Sequence, residues 1–163
     1  MRVEIAPLAD SDRQPAVDIF NHYVTHGFAA YPETPLPYQL FDALWKASAG
    51  YPAVAARGES GEVVGFGMLR PHHPLPTFSG AAEITYFLKT GFTGAGIGHR
   101  MLEVLIRGAV EKGLTSILAS ISSLNEGSIR FHARNGFVEC GRFRGIGRKN
   151  GQVFDVVWMQ RML

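Results

Sequence analysis

The chain has 163 residues, with 16 basic and 14 acidic side chains and a formal net charge of +2 at pH 7. This length predicts a single domain over residues 1–163, and the near balance of charge argues against nucleic acid as a partner. The only cysteine, Cys140, excludes an internal disulfide and a thiolate metal cluster. No apolar run is long enough to span a membrane, so we expect a soluble, cytoplasmic protein without a membrane partner.

The first half of the chain predicts a strand, two helices and a hairpin. Asp10 and Asp12 are suitable N-cap residues for the first helix, and the proline-rich segment 27–37 predicts a loop that could cover a substrate. Gly58-Glu-Ser-Gly61 separates two β-prone runs, which is typical of an antiparallel hairpin. The predicted elements are a strand at 2–6, a helix that carries Val17 to Val24, a helix at 38–47, and strands at 53–57 and 62–69.

The second half alternates between strands and helices before it ends in two strands. Residues 115–121 form a continuous apolar run, which is typical of a strand buried on both faces and favours a parallel neighbour. The last segments carry the basic residues Arg142, Arg144, Arg148 and Lys149, which indicate either a surface for an anionic ligand or, as we expect, a solvated hairpin. The predicted elements are a strand at 83–88, a helix at 96–112, a strand at 115–121, a helix at 125–134, and strands at 137–143 and 152–160.

Three alternating glycines, Gly94, Gly96 and Gly98, connect a predicted strand to a predicted helix. Without a Cβ the backbone can turn sharply and bring its N–H groups against an anion, next to the positive end of the helix. A dinucleotide fingerprint would need glycine where His99 stands, and no Gly-Lys-Ser/Thr follows for a P-loop. The pattern therefore predicts either a cradle for a pyrophosphate or a simple tight connection.

Glu83 is a candidate general base at the start of the strand before this loop. Strand alternation places it on one face with Thr85 and Phe87, beside apolar side chains. A carboxylate buried there without a neighbouring cation would become a better proton acceptor. The alternative is a carboxylate that is solvated or paired with an arginine.

A second candidate cluster lies on the helix predicted at 125–134. Asn125 is a suitable N-cap, and Ser128 and His132 are four residues apart on one face. His132 could donate or relay a proton. A structural histidine and a simple capping asparagine are the alternatives.

Other polar and aromatic groups carry weaker signals. His72 and His73 are adjacent and lack further ligands in the sequence around them, so we expect no metal site. The serines near position 120 lack the glycine-framed turn of a hydrolase nucleophile. Phe28 and Tyr31, with other aromatics of the first half, could line a small-molecule pocket or pack in the core.

Taken together, these motifs resemble the GNAT superfamily of N-acetyltransferases, and within it the phosphinothricin and methionine-sulfoximine acetyltransferase group. The resemblance spans nearly the whole chain. It is carried by Asn21-His-Tyr-Val24, Glu83-x-Thr85, Asn125-x-x-Ser128-x-x-x-His132-x-x-x-Gly136-Phe137 and Asp155-Val-Val-x-Met-Gln160. It implies an α/β (α+β) fold with a mixed, mostly antiparallel central sheet flanked by helices. The sheet should be splayed between the strands of Glu83 and Thr115 so that a cofactor can enter.

The resemblance also implies acetyl-CoA as co-substrate, a small primary amine as acceptor, no metal and a homodimer. Glu83 would remove a proton from the substrate ammonium, and His132 takes the place where many relatives have a tyrosine near the thiol. The implied cofactor contacts are Phe87, Leu88, Thr93, Gly94, Ala95, Gly96, Ile97, Gly98, Asn125 and Ser128. The implied acceptor contacts are Phe28, Tyr31, Arg70 and Thr85.

Two departures from the family pattern affect these expectations. The loop has Thr93 and Gly94 where the superfamily often has Gln or Arg, so its phosphate contacts fall to backbone N–H groups, and we expect help from Arg100. Ser79-Gly-Ala-Ala precedes Glu83 where the herbicide-detoxifying group commonly has an arginine, which argues against phosphinothricin itself as acceptor. The alternative functions are a CoA-binding sensor or inactive interaction module, and acetylation of a protein N-terminus or lysine.

Overall fold

Over residues 2–163, seven strands form one sheet in the order β1-β2-β3-β4-β5-β7-β6. The structure is a computed structural model that describes these residues, apart from the side chain of Leu40. The elements are β1 Glu4–Pro7, α1 Arg13–Thr25, α2 Tyr38–Ala47, β2 Ala53–Arg57, β3 Val63–Pro71, β4 Ala81–Leu88, α3 Ile97–Glu111, β5 Ser116–Ser122, α4 Glu126–Arg134, β6 Val138–Lys149 and β7 Gln152–Met162. This is the predicted order of helices and strands.

The sheet is mixed and mostly antiparallel, as predicted. The pair β4–β5 is parallel, and the other neighbouring pairs are antiparallel. The β4–β5 pairing covers only Ala81–Glu83 opposite Ser116–Leu118. Beyond Glu83 the two strands separate, which confirms the predicted splay and leaves an edge of β4 open.

Two apolar clusters cover the faces of the sheet. Met101 and Leu105 of α3 belong to the larger cluster, with side chains from most of the strands. Val17 of α1 packs with Phe66 and Met68 of β3 in the second cluster. Full burial of each such side chain contributes about 1.5–3 kcal/mol, so the two clusters hold the helices rigidly around the split between β4 and β5.

The β6–β7 hairpin is longer than predicted, because β6 continues to Lys149 instead of ending at residue 143. Asn150 and Gly151 form its two-residue turn, with φ values of 49° and 77°. An Asn-Gly pair is a signal for such a turn, since both residues tolerate positive φ. The expectation of a solvated basic hairpin is wrong for Lys149, which is 1% exposed.

Candidate active site

A cavity of about 970 Å³ opens where β4 and β5 separate. Its walls come from β4, the loop 29–32, the glycine loop (residues 93–98) and α4. Thirteen of the sixteen residues predicted as site residues line it: Arg70, Glu83, Thr85, Phe87, Leu88, Thr93, Gly94, Gly96, Gly98, Asn125, Ser128, His132 and Tyr31. Phe28, Ala95 and Ile97 do not line it, since Ile97 packs in the core and Phe28 lies against Phe154 with ring centroids 6.5 Å apart.

The backbone of β4 presents alternate residues to this cavity. Lys89 donates its N–H to the Val64 carbonyl of β3. The N–H and C=O groups of successive residues point to opposite edges of a strand, so those of odd-numbered residues such as Phe87 point toward β3. Tyr86 and Leu88 therefore direct their N–H groups to the side from which β5 has separated. The Leu88 carbonyl accepts a 2.5 Å hydrogen bond from the Tyr23 hydroxyl, which leaves the two N–H groups as the free backbone donors of this edge.

The glycine loop has the backbone geometry of an anion cradle. Gly94 and Gly96 have φ values of 78° and 77°, a left-handed conformation that favours glycine, and Gly96 is the N-cap of α3. Within residues 2–163, the N–H groups from Thr93 to His99 donate to no protein acceptor. Free N–H groups at the first turn of a helix fit the phosphates of acetyl-CoA. Gly98 already lies in the helix, where a Cβ would meet Phe131 at 3.5 Å, an ordinary van der Waals distance.

Arg100 does not reach this loop, in contrast to the sequence-based expectation. Its guanidinium donates to the Val3 carbonyl at 2.8 Å, on the opposite side of α3. His99 and Arg134 instead line the cavity beside the glycines. Neither was predicted, because the contact between the start of α3 and the end of α4 is long-range: His99 Nδ1 lies 2.7 Å from Asn135 Oδ1.

Glu83 is paired with a cation, as the alternative interpretation had it. It lies directly opposite Arg70 across β3 and β4, with Oε1 3.7 Å from the guanidinium, and its side chain is 18% exposed. His72 Nδ1 lies 3.6 Å from the other carboxylate oxygen. Arg70 also donates to the Thr85 hydroxyl at 2.5 Å. The cluster is a carboxylate held between two basic side chains at the point where β5 leaves β4.

His132 lies on α4 and is 3% exposed. Its Nδ1 is 2.7 Å from the Ser128 carbonyl and 3.2 Å from the Ser128 hydroxyl, and its Nε2 is 2.7 Å from the Tyr86 hydroxyl. Burial lowers the pKa of His132, so the neutral imidazole is favoured. Asn125 is the predicted N-cap, and its side-chain oxygen accepts from the Ser128 N–H at 3.2 Å.

The loop 27–33 forms the opposite wall and is held by the β6–β7 hairpin. The Tyr31 ring stacks on Phe154 with centroids 5.8 Å apart, and its hydroxyl lies 2.9 Å from the Ser120 hydroxyl. Lys149 Nζ donates to the carbonyls of Gly27 and Ala30 at 2.9 and 2.7 Å. This buried anchor was not predicted, because the sequence around Lys149 has the composition of an exposed hairpin.

Neither a metal site nor a membrane span is found in the part of the chain that the structure describes. Residues 2–163 contain no group of three or more His, Cys, Asp or Glu side chains that could hold a metal ion. Their helices are too short or too polar to cross a bilayer.

Comparisons with known proteins agree with this geometry. The model of the Acetyltransferase (GNAT) family matches residues 16–137. The chain is 32% identical to the phosphinothricin N-acetyltransferase of Streptomyces coelicolor over 99% of this chain and 96% of that protein. It is 32% identical to the L-methionine sulfoximine/L-methionine sulfone acetyltransferase of Pseudomonas paraeruginosa over 98% of this chain and 94% of that protein. The crystal structure of a GNAT superfamily phosphinothricin acetyltransferase from Sinorhizobium meliloti in complex with acetyl-CoA superimposes with a TM-score of 0.93 at 27% identity, covering 100% of this chain and 89% of that one.

Proposed function

The chain belongs to the acetyltransferase (GNAT) family and is an acetyl-CoA-dependent N-acetyltransferase, and we propose that it acetylates the primary amine of a small, amino-acid-like acceptor. The observation that carries the proposal is the pair Arg70–Glu83, which lines the cavity beside the free edge of β4, with His72 next to the Glu83 carboxylate. The Glu83 carboxylate could bind the ammonium of an acceptor, and the Arg70 guanidinium could bind the carboxylate of the same acceptor. Those are the two charged groups of a free amino acid.

We propose that the glycine loop and the free edge of β4 hold acetyl-CoA. The N–H groups of residues 93–98 would bind the pyrophosphate, and the Leu88 N–H, Asn125 and Ser128 would contact the rest of the cofactor. Acetyl-CoA supplies the activated thioester. One of the N–H groups of Tyr86 and Leu88 would bind the thioester oxygen, a contact that typically contributes roughly 10²–10³-fold to the rate of acyl transfer.

Glu83 is the proposed base that removes the first proton from the substrate ammonium. Arg70 and His72 flank the carboxylate at 3.7 and 3.6 Å, and Glu83 lines the cavity. Arg70, with Thr85, would also bind the carboxylate of the acceptor, because a guanidinium can bind two carboxylates through separate N–H groups. Tyr31 and Trp158 line the cavity where the acceptor side chain would lie. His132 is proposed to take part in protonation of the leaving thiolate.

A thiol-release assay with a panel of amines tests the acceptor. We expect L-methionine sulfone to give the highest kcat/KM and phosphinothricin a lower one. An amine without a carboxylate should lose at least about tenfold, since a charge-assisted contact contributes about 1.5–3 kcal/mol. Preference for peptides would favour a protein acceptor. Stabilisation by CoA without thiol release from any amine would favour a binding module.

A Glu83→Gln variant tests the base. The amide keeps the shape of the side chain but cannot accept the proton, so we expect kcat to fall by roughly 10²–10⁴-fold. Glu111→Gln is the control, because Glu111 is exposed at the end of α3, outside the cavity. If Glu83→Gln keeps the wild-type rate and pH profile, Glu83 is not the base.

We further propose that the chain acts as one domain and as a homodimer, in the cytoplasm where acetyl-CoA is supplied. One sheet includes strands from Glu4 to Met162, which supports a single folding unit. β6 is the outer strand and exposes Val138, Phe143 and Ile146, at 69%, 54% and 62%. An outer strand with exposed apolar side chains is a suitable surface for a second copy of the chain.

A further inference from the structure

The hydrogen bonds of His132 determine which of its nitrogens carries a proton. Nδ1 lies 2.7 Å from the Ser128 carbonyl, which can only accept, so Nδ1 is the donor. In the neutral imidazole Nε2 is then unprotonated and accepts from the Tyr86 hydroxyl at 2.7 Å. His132 in this form has no proton to give to a thiolate.

The surroundings keep both groups neutral. His132 packs edge-on against Phe137 and Phe131, with ring centroids 4.9 and 5.6 Å apart. Burial lowers the pKa of the His132 imidazole and raises the pKa of the Tyr86 hydroxyl. At neutral pH the pair is therefore a phenol that donates to an imidazole.

Tyr86 is well placed to meet the reacting groups. It lies on β4 beyond Glu83, where β5 has separated, and it lines the same cavity as Glu83 and the glycine loop. Gly67 lies directly opposite it on β3, and a Cβ there would be 3.0 Å from Tyr86 Cβ. The absence of a side chain at residue 67 gives the tyrosine room to lie flat toward α4.

We propose that Tyr86 is a further catalytic residue, whose hydroxyl carries a proton from the attacking amine to the departing sulfur, with His132 as the partner that positions it and holds its proton. The assignment rests on the proposed function, since it assumes an amine acceptor. Glu83 accepts the first proton of the ammonium, and Tyr86 accepts the second.

The proton balance has two stages. As the C–N bond forms, the amine nitrogen gives its proton to the Tyr86 oxygen while the Tyr86 proton moves to His132 Nε2. As the C–S bond breaks and its electron pair leaves with sulfur, Tyr86 gives its proton to the sulfur and His132 Nε2 returns its proton to the Tyr86 oxygen. Tyr86 and His132 end as they began, and the second amine proton is on the thiol.

A Tyr86→Phe variant removes the hydroxyl and keeps the ring. We expect a loss of roughly 10²-fold in single-turnover rate, with the dissociation constant of acetyl-CoA changed less than about twofold. In mixtures of H₂O and D₂O the wild-type rate should report two protons in flight and the variant fewer. Tyr51→Phe is the control, because Tyr51 lies outside the cavity. An unchanged single-turnover rate in Tyr86→Phe would overturn the assignment.

His132→Gln and the double variant test whether the two residues act as a unit. The glutamine oxygen can still accept from Tyr86 but cannot hold its proton, so the single variant should also be slow. Residues that act together lose little more when both are changed. The double variant should therefore fall within about threefold of the slower single variant. If the rate loss of the double variant equals the product of the losses of the two single variants, Tyr86 and His132 act separately.

The imidazole spectrum of the free protein separates this inference from the acceptor proposal. With ¹⁵N-labelled histidine, we expect a protonated Nδ1 and an unprotonated Nε2 for His132, and a shift of the Nε2 resonance in Tyr86→Phe but not in Tyr51→Phe. A protonated Nε2, or an Nε2 resonance that Tyr86→Phe leaves in place, would overturn the role of Tyr86 whatever the acceptor is. Absence of turnover with every amine would instead overturn the acceptor proposal.

Discussion

Lys149 shows how a buried cation can shape the acceptor side of the cavity. Its ammonium is the donor to the carbonyls of Gly27 and Ala30, and the adjacent Asn150 N–H donates to Glu33 Oε1 at 2.7 Å. In Lys149→Met both carbonyls lose their donor, and the carbonyl of the buried Ala30 would be left unsatisfied at a cost of about 1–3 kcal/mol. We expect the acceptor KM to rise roughly tenfold and the melting temperature to fall by several degrees, at about 2–4 °C per kcal/mol.

Two measurements distinguish this positioning role from a general loss of stability. Hydrogen exchange should become faster in residues 27–33, while the dissociation constant of acetyl-CoA should stay within about twofold of the wild type, because the glycine loop is on another element. Lys46→Met is the matched control, since Lys46 is exposed on α2. An unchanged acceptor KM in Lys149→Met would show that the anchor does not position the loop.

The residues recovered from sequence are those whose chemistry is visible in a local pattern. Glu83 follows from strand alternation, and His132 from its spacing to Ser128. His72 and Tyr86 were missed because their partners lie on other elements: His72 meets Glu83 across β3 and β4, and Tyr86 meets α4. Strand alternation assigns Tyr86 to the face opposite Glu83, and only the separation of β4 from β5 brings both faces to one cavity.

At the scale of an element, the start of α3 depends on two glycines in the left-handed conformation. A Cβ in that conformation costs about 1–2 kcal/mol, which corresponds to roughly a tenfold change in an equilibrium constant. Because Gly96 has φ 77° and precedes the first turn of α3, we expect Gly96→Ala to weaken acetyl-CoA binding about tenfold. Isothermal titration with acetyl-CoA measures the change.

Gly113 provides the matched control for the glycine loop. It follows the other end of α3 with φ 84°, and a Cβ there would meet no atom within 4 Å, as at Gly96. Gly113→Ala should lower the melting temperature by a similar amount and leave acetyl-CoA affinity unchanged. Equal weakening of cofactor binding in both variants would mean that the loss comes from destabilisation of α3 and not from the cradle.

The elements were predicted well because helices and strands of this chain carry strong local patterns, from the apolar spacing of α3 to the continuous apolar run of β5. The boundary that failed is the end of β6. β6 was expected to end at residue 143, where glycines and arginines weaken the strand pattern, but its pairing with β7 continues to Lys149 opposite Gln152. The burial of Lys149 follows from this extension, which carries its side chain to the loop 27–33.

At the scale of the whole molecule, the cavity lies where β4 and β5 lose their mutual pairing while each keeps its other neighbour. β4 stays paired with β3 as far as Leu88 opposite Gly65, while β5 stays paired with β7 as far as Ser122 opposite Val156. β4 and β5 part after Glu83, so the edge of β4 that would have paired with β5 faces the cavity. The splay was expected from the family resemblance alone, since no local pattern in the sequence encodes the angle between β4 and β5.

The outer edge of the same sheet leads to the prediction on assembly. Val138, Phe143 and Ile146 of β6 are more than half exposed, and burial of such side chains against a second copy would contribute about 25 cal/mol per Å² of apolar surface. We expect light scattering after gel filtration to give twice the chain mass of 17.8 kDa. Ile146→Lys should give a mass near that of one chain, since an unpaired charge in an interface is strongly unfavourable. Val110→Lys is the control, because Val110 is equally exposed but lies on α3. A wild-type mass of one chain, or an Ile146→Lys variant that keeps the double mass, would contradict a dimer through β6.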